Sequence, residues 1–208
     1  MKNGQDLYIG LMSGTSSDAI DAALVQFSHS GCELIDTLSA TLDPPILDRI
    51  QRVVNGTADR VNHVSELDAL LSHAFANTAL RLIAQAGVGQ ITAIGSHGQT
   101  VRHQPGSRLP YTVQLGNGAR IAAITGITTV SDFRTADLAL GGQGAPLVPA
   151  FHRAVFSDPS ENRVIVNIGG IANATILHRK NRLSGFDTGP GNTLMDHWFR
   201  RHQSGAYD

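Results

Sequence analysis

The fold is set by LYIGLMSGTSSDAIDAALVQF, residues 7–27. Residues 7–12 are almost all apolar and read as a buried strand, and residues 19–27 read as a second. Between them Ser13-Gly14-Thr15-Ser16-Ser17-Asp18 has the composition of a tight turn. A third run over residues 33–42 follows a break at residues 28–31. The chain therefore opens as an antiparallel meander.

Working outward, the period changes after Pro44-Pro45. Val64, Leu67, Leu71, Ala74, Phe75, Thr78 and Leu82 fall at steps of three and four, which predicts an amphipathic helix capped at its start by Ser65 and Asp68. Residues 91–96 read as a strand ending in Ser96-His97-Gly98-Gln99, followed by a polar loop containing Pro105 and Pro110. Residues 114–125 read as a helix and 127–131 as a strand. The order β-β-β-α-β-α-β predicts a mixed α/β sheet with helices against it. Residues 139–149, ALGGQGAPLVP, are too rich in glycine and proline for a helix interior or a central strand and mark a junction. Beyond it, residues 163–168, 172–177 and 183–186 read as strands, with Gly169-Gly170 as a turn and a helix starting near Asn192. The strand, glycine turn, strand opening thus occurs twice, which predicts two related lobes over residues 1–130 and 131–208, the second without a helix–strand–helix part.

The chain has 208 residues, with 16 basic and 17 acidic side chains and a formal charge of −1. Such a balance offers no long-range field to draw in nucleic acid or an anionic membrane, and points to a small ligand. The single cysteine, Cys32, has no partner for an internal disulfide. Asp6 precedes an apolar run too short for a signal peptide, and no stretch is long and apolar enough to span a membrane. A cytoplasmic location is expected.

Several motifs can carry chemistry. The turn at residues 14–18 can present backbone amides and hydroxyls to phosphate, while Asp18 and Asp21 make sense beside it if a divalent cation intervenes or if they position water. Each element is also what an ordinary hairpin turn uses. Asn167-Ile168-Gly169-Gly170 can supply a second cradle of the same kind. Asp187, in FDTGPGN at residues 186–192, ends a strand and can abstract a proton, or accept backbone amides in its turn. Arg134 can clamp a carboxylate or phosphate, or pair with Asp132 or Asp137. Nine histidines include no His-Glu-x-x-His, and no Walker or Gly-x-Ser-x-Gly sequence occurs.

Taken together and in order, GLMSGTSSDAID (residues 10–21), IGSHGQT (94–100), QLGN (114–117), DFR (132–134), GGQGAPL (141–147), NIGG (167–170) and GFDTGPGN (185–192) resemble the anhydro-N-acetylmuramic acid kinase family. The resemblance implies the ribonuclease-H-like lobes of the actin, Hsp70 and sugar kinase superfamily, with nucleotide held between them. It implies ATP and 1,6-anhydro-N-acetylmuramic acid as substrates: water opens the anhydro bond while the 6-oxygen takes the γ-phosphoryl group. By position, Asp187 would be the catalytic base. Gly14, Thr15, Ser16, Ser17, Asp18, Ala19, Ile20 and Asp21 would form the first phosphate loop, with Asp18 toward Mg²⁺. Gly169 and Gly170 would contribute the second loop, and Ser96, His97, Gln99, Asn117 and Arg134 would face the sugar. A homodimer is a further expectation. The family pattern usually has a large apolar residue at Ser17 and glycine at Ala19; were a positive φ needed at 19, alanine would strain the turn. Family members also extend well beyond 208 residues, and an alternative is a sugar- or phosphate-binding remnant without turnover.

Overall fold

Strand alternation builds the first sheet. The protein, known from a computed structural model, is described over residues 6–14, 19–28 and 31–204. β1 (Asp6–Ser13), β2 (Ala19–Ser28) and β3 (Gly31–Thr41) form an antiparallel meander. Ile9, Leu11 and Ser13 of β1, and Ile20, Ala22 and Leu24 of β2, are the buried alternate positions, which is the period of two a one-sided sheet requires. Two helices, α1 (Pro44–Val54) and α2 (Val61–Ala86), then cross over the sheet so that β4 (Ala93–Gln104) returns parallel to β1. Leu67, Leu71, Phe75, Ala79 and Leu82 of α2 are fully buried against this face. α2 ends at Gly87, whose φ of 66° closes the helix in the left-handed conformation.

β4 then pairs twice. Its second half forms an antiparallel hairpin with β5 (Tyr111–Leu115), and its first half is parallel to β6 (Thr129–Val130), reached through α3 (Gly118–Thr125). The order is β3-β2-β1-β4-β5 with β6 also on β4, and β2 is reversed relative to its neighbours β1 and β3. This is the mixed α/β sheet that the pattern predicts, arranged as the ribonuclease-H-like lobe that the resemblance implies. After α4 (Phe133–Ala139) the first compact unit ends at Gly142.

The second unit starts at Gln143 and contains α5 (Pro149–Phe156), β7 (Arg163–Ile168), β8 (Ile171–Leu177), β9 (Leu183–Pro190) and α6 (Thr193–His202). Its sheet has the order β7-β8-β9, all antiparallel, repeating the opening meander of the first unit. Pro149 starts α5, and His152 of that helix lies 2.9 Å from Thr175 Oγ1 of β8, tying helix to sheet. Burial pushes the His152 pKa below its ordinary value.

Four expectations are corrected. The helical spacing is read only from Val64, and α1 precedes it, starting at Pro44, because proline at the first helical position loses no intrahelical hydrogen bond. Residues 97–104 continue β4 instead of forming a loop, and residues 114–115 belong to β5, so the helix read from 114 begins at Gly118. Ser65 and Asp68 lie inside α2, which starts at Val61; Asp68 Oδ1 instead accepts the Gly116 N–H at 2.8 Å. The boundary expected at 130/131 falls at 142/143, because α4 packs on the first unit: the Phe133 ring lies 3.6 Å from where a Cβ on Gly95 would stand.

Phe75 is fully buried and Leu140 is 90% exposed. Phe75→Ala is therefore expected to lower the urea-derived unfolding free energy by about 3–5 kcal/mol, and Leu140→Ala to change it by no more than about 0.5 kcal/mol. Equal effects in the two variants would contradict this assignment of the core.

Candidate functional site

The parallel register of β1 on β4 puts Ser13 opposite Gln99. Both are buried, and Gln99 is only 1% exposed. Gln99 Oε1 lies 2.7 Å from Ser13 Oγ, and its Nε2 donates to the carbonyls of Gly14 at 3.3 Å and Thr100 at 3.2 Å. Ser13 Oγ also lies 2.9 Å from the Ala19 carbonyl. The Gln99 amide thus holds the Gly14 end of the first loop to β4, while the single Ser13 hydroxyl hydrogen serves either Gln99 Oε1 or the Ala19 carbonyl. Gln99, expected to face sugar, spends its amide inside the protein.

Thr15, Ser16, Ser17 and Asp18 lie outside the described residues, and the Mg²⁺ expectation on Asp18 with them. Ala19 of β2 pairs with Thr41 of β3 and has no positive φ, so alanine there is unstrained. Ile20 packs in the core, which leaves its backbone alone to act on a ligand, and Asp21 is exposed on β2 opposite Met12 and Ser39. Among the described residues, no group of three or more His, Cys, Asp or Glu side chains is arranged to hold a metal ion.

A bulge shapes the next part of the site. Between the pairs Leu11–Ser96 and Ser13–Gln99, β1 supplies Met12 while β4 supplies both His97 and Gly98. Gly98 takes up the extra length with φ 74°, and a Cβ there would strike the Leu115 carbonyl oxygen. His97 turns toward Arg134 of α4, whose Nε donates to His97 Nε2 at 2.9 Å; Nδ1 then carries the proton and donates to the Gly98 carbonyl at 2.9 Å. Burial pushes the His97 pKa below its ordinary value, the Gly98 carbonyl pulls against this, and the Arg134 charge adds to the lowering.

Ser96 and His97 open onto a cleft of about 300 Å³ within the first unit. Asp68, Gln114, Asn117, Ser131 and Asp132 complete most of its polar wall, and no lysine or arginine lines it. Asn117 Oδ1 caps α3 by accepting the Arg120 N–H at 3.1 Å, so its side chain serves the helix start. Gly118 lies so close to Ser131 that a Cβ would strike the serine Oγ, which brings the α3 start against the turn before α4. The unspent group is Ser96: it is 1% exposed, yet its Oγ has no hydrogen-bond partner among the described residues. A buried hydroxyl left unpaired costs about 1–3 kcal/mol, which a ligand atom in the cleft would recover.

The second unit holds the other expected residues. Asp187 is exposed on β9, directly opposite Asn173, whose buried Oδ1 also has no partner. Thr188 is the extra residue of a bulge there, and its Oγ1 donates to the Ala172 carbonyl at 3.0 Å. The Gly169-Gly170 turn joins β7 to β8 and is bound to the start of α6: Gly170 O accepts from Gly191 N at 2.9 Å and Thr193 Oγ1 at 2.7 Å, and Gly169 O from Asn192 N at 2.9 Å. A Cβ on Gly191 would strike Gly169 O, so GPGN is a close-approach requirement.

Ser96, His97 and Asn117 therefore meet at one cleft with Arg134 bonded to its wall. Asp68, Thr112, Gln114, Ser131 and Thr135 are lining residues that sequence reading missed. Reading residues 111–115 as a strand would have placed Thr112 and Gln114 on one face, as Gln114 Nε2 donating to Thr112 Oγ1 at 2.7 Å confirms. Nothing in the helical pattern around Asp68 marks it.

A folded-state pKa below the unfolded one means that neutral His97 contributes stability above the unfolded value, and that this is lost as pH falls from there through the lower folded-state value. An NMR titration of His97 is expected to give a midpoint below the ordinary histidine value. Arg134→Gln should raise that midpoint without restoring it fully, since burial remains. A midpoint at or above the ordinary value would overturn the neutral, Arg134-oriented imidazole.

The family model described as anhydro-N-acetylmuramic acid kinase matches residues 6–208. The anhydro-N-acetylmuramic acid kinase of Vibrio vulnificus is 48% identical over 206 residues, covering 98% of this chain and 56% of that protein. Its counterpart from Xylella fastidiosa is 49% identical over 212 residues, covering 99% and 56%. The chain thus spans about half the length of the curated relatives it matches. Among solved structures, a reductive activator for corrinoid, iron-sulfur protein superposes with a TM-score of 0.50 at 16% identity over 91% of this chain and 32% of that one, a likeness of fold alone. With the family match running from β1 through α6, the chain belongs to the anhydro-N-acetylmuramic acid kinase family.

Proposed function

We propose that the chain carries the sugar-binding cleft and the base-bearing strand of an ATP-dependent kinase acting on 1,6-anhydro-N-acetylmuramic acid. The observation that carries this reading is the polar cleft with an unpartnered, buried Ser96 Oγ at its wall. Neutral hydroxyl and amide groups together with two carboxylates suit a hydroxylated ring, whose OH groups both donate and accept. Arg134, oriented by His97, would take the carboxylate of the lactyl ether.

In the proposed reaction Asp187 accepts a proton from water as the water oxygen bonds to the anomeric carbon. The anhydro C–O bond breaks, the 6-oxygen bonds to the γ-phosphorus, and ADP leaves. Phosphoryl transfer of this kind rests on positioning and charge neutralisation, the latter supplied by Mg²⁺ when bound. The Gly14 carbonyl is held by Gln99 where the first glycine-bearing segment leaves β1, and the Gly169-Gly170 turn is anchored to α6; glycine-bearing segments of this kind suit phosphate. Action in the cytoplasm, where ATP is available, belongs to the same proposal. Among the described residues, no helix is long and apolar enough to cross a membrane.

A second reading is that the chain binds sugar without turnover. In a protein extended to the relatives' length, Asp187→Asn is expected to cut product formation, followed by ³¹P NMR, by about 10²–10⁴-fold while ATP still binds. Unchanged turnover would remove Asp187 as the base. Sugar binding with no turnover in the unsubstituted extended protein would establish the second reading.

A further inference from the structure

The polar cleft continues between β5 and α4. Thr112 of β5 and Thr135 of α4 line both the cleft and a second hollow of about 380 Å³. The hollow's other walls are Leu109, Pro110 and Tyr111 on the strand side and Leu138 and Ala139 on the helix side. Thr135, Leu138 and Ala139 stand at i, i+3 and i+4, so one face of α4 passes from polar to apolar along the groove. The strand shows the same gradient, since Gln114 and Thr112 lie toward the cleft and Tyr111 and Leu109 beyond them. Thr112 Oγ1 is held at the junction by Gln114 Nε2 at 2.7 Å and lies 3.1 Å from His103 Nδ1. Leu109 is 80% exposed at the rim.

The groove thus fits a ligand with a hydroxylated ring at one end and an apolar group at the other. No charged side chain lines the apolar hollow, so a carboxylate placed there would lose its hydration with nothing in return. Of the two substituents on the sugar proposed above, the lactyl ether is anionic and the N-acyl group is neutral. We propose that the hollow is an acyl subsite, which receives the N-acyl group and accepts chains longer than acetyl. This rests on the reading of the polar cleft as the sugar site.

The test is an NMR titration of the 208-residue chain with N-acetylmuramic acid and with N-butanoylmuramic acid. The butanoyl sugar is expected to bind more tightly, by about threefold to fourfold for each added methylene, and to shift the methyl signals of Leu109 and Leu138. Leu109→Asp should bring the butanoyl-to-acetyl affinity ratio to one or below. Butanoyl binding that is no tighter, or tighter with the Leu109 and Leu138 signals unmoved, overturns the subsite. If the acetyl sugar still shifts Ser96 and Asn117 in that case, the cleft reading stands alone. If neither sugar shifts Ser96 or Asn117, the cleft reading falls and the subsite with it.

Discussion

β1 and β4 lie side by side and parallel, and the rest of the first unit follows from that pairing. It demands a long crossover, which α1 and α2 provide, and the crossover in turn covers the apolar alternate positions of β1, β2 and β4. It also sets Ser13 against Gln99 at the end of the ladder, where a buried amide can bond the loop that leaves β1. Leaving either partner buried without the other would cost about 1–3 kcal/mol, so the two residues specify each other. The bulge at His97 and Gly98 is the price of joining that ladder to the β5 hairpin, and it aims His97 at Arg134.

Arg134 is tied to the wall of the cleft through His97. Its Nε goes to a neutral imidazole, and burial keeps that imidazole neutral. The pair therefore brings one positive charge to the rim while Asp68 and Asp132 bring negative charge to the lining. Asp68 is committed to the Gly116 N–H, which holds the β5–α3 turn in place. Such a mixture discriminates by geometry and donor pattern more than by net charge, in keeping with the near-zero charge of the chain.

Much of the fold was legible because alternation and helical spacing are local signals. The opening meander, the long helix over Leu67 to Leu82, and the second meander around Gly169-Gly170 could be read from pattern alone. What pattern could not supply was context. The short helix that Pro44 starts is missed because its apolar face is brief, and His97-Gly98 reads as a loop because a glycine bulge within a strand breaks the alternation. The five sugar-facing candidates came from resemblance, and the structure separates them. Ser96 and His97 line the cleft, Arg134 is bonded to His97, Asn117 lines it while capping α3, and Gln99 is turned inward. Burial and hydrogen-bond commitment decide such assignments, and neither is local in sequence.

If the cleft is the sugar site, the partner that the Ser96 hydroxyl lacks among the described residues is a ligand atom. A crystal structure of the chain with N-acetylmuramic acid tests this most directly. The account predicts a sugar oxygen or nitrogen within about 3 Å of Ser96 Oγ, with the ring between the α3 start and His97. A sugar bound elsewhere, with Ser96 Oγ still lacking a partner, would contradict it.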